Sequence, residues 1–210
     1  MLEFLTRLPI LSFFLVTAFY ARPVLCETLG GFLGRLTAMG QQTRTLEARF
    51  QQRKLLSLFR TEVKTDGVMY FRRPKELRWE TYPPDASVLL VIEQRAELRL
   101  PGEKPLAMEL KDATAAGTLI EQLLLWLGVR PADTLTREYQ VKYHQNRSLT
   151  RLELAPRGGI LRERITSLDL EFGADLILRR IKILQRDGDA MRVDFFSVKR
   201  NSRLPANCFR

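Results

Sequence analysis

Cysteine and histidine are scarce in this chain: two cysteines, Cys26 and Cys208, and one histidine, His144, among 210 residues. Three such residues, far apart in sequence, supply neither a Cys/His quartet for structural zinc nor a disulfide framework. A phosphate-binding glycine loop is missing, because Gly30-Gly31 and Gly158-Gly159 stand as isolated pairs without the spacing that cradles a phosphate, and so read as turns or helix ends. No Gly-x-Ser-x-Gly elbow accompanies His144, which falls in a polar Tyr-His-Gln-Asn-Arg-Ser stretch and is expected in an exposed turn. Repeats, low-complexity tracts and Pro/Ser-rich linkers are also lacking, so the chain reads as one domain. A core of this size needs no metal or disulfide, since a chain of this length buries roughly 70% of its unfolded surface.

What the chain has in excess is positive charge. Lysine and arginine number 34 against 24 acidic residues, a formal net charge of +10. Such a balance points first to nucleic acid or to anionic membrane surfaces. The arginines are scattered, at 49, 53, 60, 72, 73 and 78 and onward, rather than gathered into a run. That distribution argues against a nucleic-acid groove.

The first residues read as an export signal. Leu8 to Ala21 form an apolar run of 14 after a start containing Arg7, which suits a secretory h-region and is short for a membrane span. Pro23 ends the helical run, and residues 1–26 are expected to be removed by cleavage after Cys26, with Val16-Thr17-Ala18 as a second candidate site. Loss of Arg7, Arg22 and Glu3 lowers the net charge by one, to +9. Lipidation of Cys26 is an alternative, against which the bulky Leu25 counts. Outside the cytoplasm, anionic lipid is a commoner partner than nucleic acid.

Leu29 to Gln41 carry Leu29, Phe32, Leu33, Leu36 and Met39 at helical spacing, which predicts a first amphipathic helix. From Leu46 the period changes to two, which predicts strands. Asp66-Gly67 reads as a hairpin before Val68–Arg73, and Pro74 and Pro83-Pro84-Asp85 punctuate the next runs. Short alternating runs follow at 88–92, 96–100 and 106–110, then at 139–143, 150–154, 168–172, 181–183 and 191–195. Between the two groups, Thr114 to Val129 (TAAGTLIEQLLLWLGV) predict a second helix, apolar over well over half its circumference and stopped by Pro131. About ten short antiparallel strands with one helix before them and one inserted make a mainly β, α+β domain over 27–210. Asp169 and Glu171 share a strand face, the geometry of a carboxylate pair, and are expected on the sheet's solvated side. The residues therefore favour a binding protein over an enzyme.

Several fixed spacings then coincide. Leu46–Leu55 (LEARFQQRKL), Gly67-Val68-Met69-Tyr70-Phe71-Arg72-Arg73-Pro74, Leu77-Arg78-Trp79-Glu80 and Tyr82-Pro83-Pro84-Asp85 occur in order, followed far downstream by Leu152–Pro156 and by Asn201, Leu204 and Pro205. This set resembles the periplasmic lipoprotein carrier family LolA over most of residues 29–209. The resemblance implies an incomplete, strongly curved antiparallel β-barrel with helices as a lid over an apolar cavity. Its function would be to shield the acyl chains of lipoproteins and ferry them through the periplasm, without cofactor, as a monomer. The implied donor is an inner-membrane ABC-type lipoprotein-releasing complex, and the implied acceptor an outer-membrane LolB-like lipoprotein. Acyl chains gain about 0.8 kcal/mol per buried CH₂, so a triacylated protein cannot cross water unshielded.

The resemblance also implies that Arg73 clasps the lid through backbone carbonyls, with Arg72 as the neighbour competing for that role. It implies that Phe50, Phe71, Trp79 and Leu90 on the sheet, and Leu119, Leu123, Trp126 and Leu127 on the second helix, contact lipid. Where the family has an aromatic pair before a strand-end proline, this chain has Leu98-Arg99-Leu100-Pro101. Two alternatives stay open: a glycolipid or other lipid as cargo, and a lipid or lipoprotein sensor that does not transport.

Overall fold

A computed structural model describes residues 27–58, 61–110, 115–128 and 130–210. The expected leader over residues 1–26 lies outside them. Four helices are present among the described residues: α1 (Leu29–Gln42), α2 (Ala115–Trp126), α3 (Thr134–Glu138) and α4 (Gly159–Arg164). Eleven strands follow in chain order as β1 (Thr45–Leu56), β2 (Thr61–Arg72), β3 (Glu76–Thr81), β4 (Ser87–Ile92), β5 (Arg95–Arg99) and β6 (Leu106–Glu109), then β7 (Tyr139–Gln145), β8 (Leu149–Pro156), β9 (Ile165–Gly173), β10 (Leu178–Gln185) and β11 (Ala190–Arg200).

These strands form one antiparallel sheet in the order β6-β5-β4-β3-β2-β1-β11-β10-β9-β8-β7. Two meanders, β1–β6 and β7–β11, are thus sewn together where β1 pairs with β11. The free edges are β6 and β7, and the segment linking them in sequence carries α2 and α3. Laid flat, eleven strands would span about 48 Å at about 4.8 Å per spacing. Yet a single apolar cluster joins side chains from both edges, Met108 of β6 and Tyr139 of β7, to Phe32 and Leu36 of α1 and to Leu124 and Trp126 of α2. The sheet therefore curves around the two helices and is not closed into a barrel.

Alternation explains which residues enter that core. On β1, Ala48 and Phe50 point inward, while Glu47, Arg49, Gln51 and Arg53 point out. Thr28 starts α1 by accepting a hydrogen bond from the Gly31 amide at 3.2 Å, and the Thr43 amide closes its last turn on the Gly40 carbonyl.

Three expectations need correction. Asp66-Gly67 is no hairpin: β2 runs straight through it, and the turn lies after Leu56. Gly67 serves packing instead, because a Cβ there would lie 2.4 Å from the Phe50 ring and 2.3 Å from the Glu80 carbonyl oxygen. His144 belongs to β7 rather than to the turn, which falls at Asn146 and Ser148. The short helices α3 and α4 carry too few turns for an apolar period to show.

Candidate functional site: an apolar face closed by two helices

The concave face of the sheet is lined by aromatic and branched side chains. Phe50 and Trp79 stack with ring centroids 4.2 Å apart, and Phe195 meets Trp79 edge-on at 5.9 Å. Phe71 is fully buried in the same cluster. Over this face lie α1, whose Phe32 packs edge-on against Phe172 at 5.4 Å, and α2, whose Ile120, Leu124, Leu125 and Trp126 are buried. Leu123 and Leu127 are half-buried against the cluster. Leu119 lies on α2, and its side chain is outside what the structure describes.

Between helices and sheet remains a cavity of about 30 Å³, room for roughly two water molecules. Trp126 and Leu127 line it from the C-terminal end of α2 and the residue after it, Met39 and Thr43 likewise from the end of α1, and Met69 and Phe195 from the sheet. Phe50, Phe71 and Trp79 share the apolar cluster without lining the cavity. The sequence pattern missed Met39, Met69 and Phe195 as wall residues. The two methionines are the adaptable part of this wall, since an unbranched thioether side chain repacks at low cost.

Leu90 is a correction. It faces outward, in a separate cluster with Cys208, Phe209, Tyr70 and Leu204, where the C-terminal segment covers the convex side of β2–β4. Val91, its neighbour on β4, takes the inward position. Adjacent strand residues point to opposite faces, and reading Leu90 as inward chose the wrong parity. Burial pushes the Cys208 thiol up from its ordinary range, so it stays protonated in this cluster.

The turn after β2 grips both helices. Arg73 donates from Nε to the Thr43 carbonyl at 3.0 Å and from Nη2 to the Gly40 carbonyl, both at the C-terminal end of α1. The Gly40 carbonyl also accepts the Thr43 amide that ends α1, and a cation there meets the negative end of the helix dipole. Two residues on, Lys75 pairs with Glu121 of α2 at 2.6 Å. From the opposite side Asn201, at φ 57°, donates to the Gln42 carbonyl at 3.1 Å and accepts from the Arg44 amide at 2.7 Å. Lys75 was not anticipated as a contact to the lid. Arg72 points to the convex face, pairs with Glu76 and lies over the Phe209 ring at 4.7 Å.

α2 is tied down further by polar contacts at its inner side. Tyr139 donates to the Gln122 side chain at 2.7 Å, and Gln122 donates to Glu138 at 2.6 Å. Burial and then the Glu138 carboxylate push the Tyr139 phenol far up, so it remains a donor. The helices meet at their ends, where Gly40 packs on Gly128, and the Ala132 amide donates to Thr37 of α1 at 3.0 Å.

Asp169 and Glu171 lie on the convex face, bonded to Arg151 and Arg180 at 2.9 and 2.7 Å. His144 is 3.5 Å from Glu153 on that face as well. Among the described residues no group of three or more His, Cys, Asp or Glu could hold a metal, and no helix is long and apolar enough to cross a membrane.

Comparison with known proteins accords with this architecture. The family model for outer membrane lipoprotein carrier protein LolA matches residues 41–210. No curated protein matches the chain in sequence. Among solved structures, a LolA superfamily protein from Nitrosomonas europaea aligns over 88% of this chain and 98% of its own, with 10% identity and a TM-score of 0.45. The lipoprotein LppX of Mycobacterium tuberculosis aligns over 85% of this chain and 99% of its own, with 11% identity and a TM-score of 0.43. MucB, solved in complex with MucA(peri), aligns over 87% of this chain and 59% of its own, with 13% identity and a TM-score of 0.49.

Proposed function

This chain belongs to the LolA family of outer membrane lipoprotein carrier proteins, and we propose that it is a periplasmic carrier which loads acyl chains beneath α1 and α2 and releases them when those helices lift. It has no catalytic residues in this reading and needs no cofactor. It takes acylated lipoprotein from an inner-membrane ABC-type releasing complex and delivers it to an outer-membrane LolB-like acceptor. It acts as a monomer after loss of residues 1–26.

The observation that carries the proposal is the hold of Arg73 on Gly40 and Thr43 above an apolar face. A cavity of about 30 Å³ holds no acyl chain, so cargo enters only if the helices move outward. Arg73 holds the end of α1 through two hydrogen bonds to carbonyls, each worth about 1.5–3 kcal/mol, a strength that a ligand burying several CH₂ groups can offset. Loading thus exchanges the clasp and the closed packing for chain burial, and release restores them. Phe50, Phe71 and Trp79 form the floor that the chains meet, and Leu119, Leu123, Trp126 and Leu127 the lid that follows them.

Arg200 supports a second reading of the cargo. It stands at the cavity rim and, among the described residues, has no carboxylate at ion-pair distance. A lipid whose headgroup bears a phosphate or carboxylate would satisfy it, so a charged glycolipid or phospholipid is the alternative. Purified, delipidated protein mixed with a triacylated lipopeptide and passed over a sizing column tests the main reading: co-elution is expected. Co-elution with an anionic lipid and not with the lipopeptide would select the second reading, and binding of neither would refute both.

A further inference from the structure

On the concave face, one step beyond the aromatic floor, stand two polar side chains that the closed protein leaves unsatisfied. Gln52 of β1 and Thr65 of β2 are directly opposite in register, next to the Phe50–Gly67 pair, and share the inward parity of Ala48, Phe50, Met69 and Phe71. They are only 6% and 3% exposed. The Thr65 hydroxyl is sealed from solvent with no hydrogen-bond partner among the described residues, and the Gln52 carboxamide bonds no other described residue either. Thr81 on β3 is the contrast, since its hydroxyl meets the Asp85 carbonyl at 2.6 Å and the Ser87 hydroxyl at 2.8 Å. A buried polar group without a partner costs free energy, and native interiors keep few of them.

Their place along β1 points to a use. Ala48 lines the cavity, Phe50 forms the floor, and Gln52 follows about 13 Å from Ala48 along the strand. Val193, buried on β11, stands opposite Gln52 on its other side, so the polar pair is flanked by an apolar wall. Two residues further, Lys54 pairs with Asp85 of the turn between β3 and β4 at 2.6 Å, and both side chains are partly exposed. Because β2 lies between β1 and β3, this ion pair spans the strand that carries Thr65. The concave face thus passes from apolar, through a buried uncharged polar pair, to a solvated charge pair. An acylated molecule has the same order: methylenes, then the carbonyl of the ester or amide linkage, then the polar head.

We propose that Gln52 and Thr65 receive the linkage carbonyl of an acyl chain lying on the Phe50–Trp79 floor, with the methyl end toward the cavity and the head toward Lys54 and Asp85. The Gln52 amide and the Thr65 hydroxyl each offer a donor, and a carbonyl oxygen with two lone pairs accepts both. Side chains directly opposite on paired strands start about 5 Å apart, close enough to converge on one oxygen. An alkyl chain joined through an ether lacks that carbonyl. This inference rests on the carrier reading and adds to it an orientation of the cargo and a recognition of its linkage. The head then lies at the end of β1 remote from Arg200, which pairs in register with Leu46.

Thr65→Val and Gln52→Met remove the donors while nearly keeping side-chain size. The delipidated parent and both variants are titrated with three lipopeptides of equal chain length: one acylated through esters only, one through an amide only, and the dialkyl ether analogue of the first. Each variant is expected to weaken acyl binding about three- to tenfold, the loss of one neutral hydrogen bond, and to leave the ether analogue unchanged. Loss for the ester ligand, the amide ligand or both names the linkage that is read. The melting temperature of empty Thr65→Val should hold or rise, because the change breaks no bond. The proposal is overturned if the variants weaken the ether analogue equally, which would reduce the pair to the shape of the floor. It is also overturned if all three ligands bind the variants as they bind the parent, and a lower melting temperature of Thr65→Val beside unchanged binding would assign the hydroxyl to a structural water. A parent that binds none of the three removes the carrier reading and this inference with it, whereas parent binding that the variants do not alter counts against this inference alone.

Discussion

Gly40 and Gly128 touch through their backbones: a Cβ added at Gly40 would sit 1.8 Å from the Gly128 carbonyl oxygen. One glycine lies in the last turn of α1 and the other, at φ 74°, just past the end of α2. Only residues without side chains let the two helix ends approach so closely. The Arg73 guanidinium bonds the carbonyl of this same Gly40, so the crossing of the helices and their hold on the sheet share one residue.

Gly40→Ala is therefore expected to separate the helix ends. The cost should be about 1–3 kcal/mol, read as a fall in melting temperature of roughly 2–10 °C. Gly34→Ala, where an added Cβ meets nothing within 4 Å, should instead stabilise by up to about 1 kcal/mol. Thermal melts of the pair check both signs, and a similar fall in both would show that the close approach is not what matters.

Arg73→Leu removes both bonds to α1, and the empty protein should then bind more of an apolar reporter dye. Arg73→Lys keeps the charge but loses the two-pronged geometry and should fall between the variant and the parent. Arg72→Leu should leave dye binding unchanged, because Arg72 sits on the other face beside Glu76 and Phe209. Dye fluorescence and cargo release to acceptor vesicles measure the consequences. Parent-like behaviour of Arg73→Leu would remove the residue-level support for a clasped lid.

Trp126→Asp would place an unpaired charge beside the cavity, at a cost of several kcal/mol in the closed form. An open, loaded form relieves part of that cost by moving the helix toward water. Lipid binding is thus expected to suffer more than folding, as judged by circular dichroism beside a lipopeptide binding titration. Equal loss of both would make Trp126 a core residue only.

Acid should loosen the convex face. Burial raises the Asp194 carboxyl, and the hydrogen bonds from Arg192 and Arg180 together outweigh it, so the group ends below its ordinary value of 3.8. A carboxylate depressed in the folded state adds stability that is complete above 3.8 and is lost as pH falls through the lower folded value. Melting temperature should therefore decline below about pH 4. The decline should be shallower in Asp194→Asn, and an unchanged acid limb in that variant would place the acid sensitivity elsewhere.

Much of the architecture is legible in the residues themselves. The spacing of Phe32, Leu33 and Leu36 marks α1, the apolar run before Pro131 marks α2, and the period of two from Leu46 onward marks an antiparallel sheet, because side-chain direction repeats every 3.6 residues in a helix and every two in a strand. The ordered motifs from residue 46 to 85 carried the resemblance to the family. What they left undetermined depends on register and on contacts between residues far apart in the chain. Alternation says that Leu90 and Val91 oppose each other, yet only the C-terminal segment packing on β4 decides which one faces out. Gly67 carries the composition of a turn, but the Phe50 ring across from it makes it part of a strand. No local pattern reveals that Gly40 meets Gly128, 88 residues on. Nor does one reveal that Gln52 and Thr65 oppose each other, since that pair exists only once the turn after Leu56 sets the register of β1 and β2. Local sequence sets which way a side chain can point, and the long-range pairing of strands and helix ends sets what it meets.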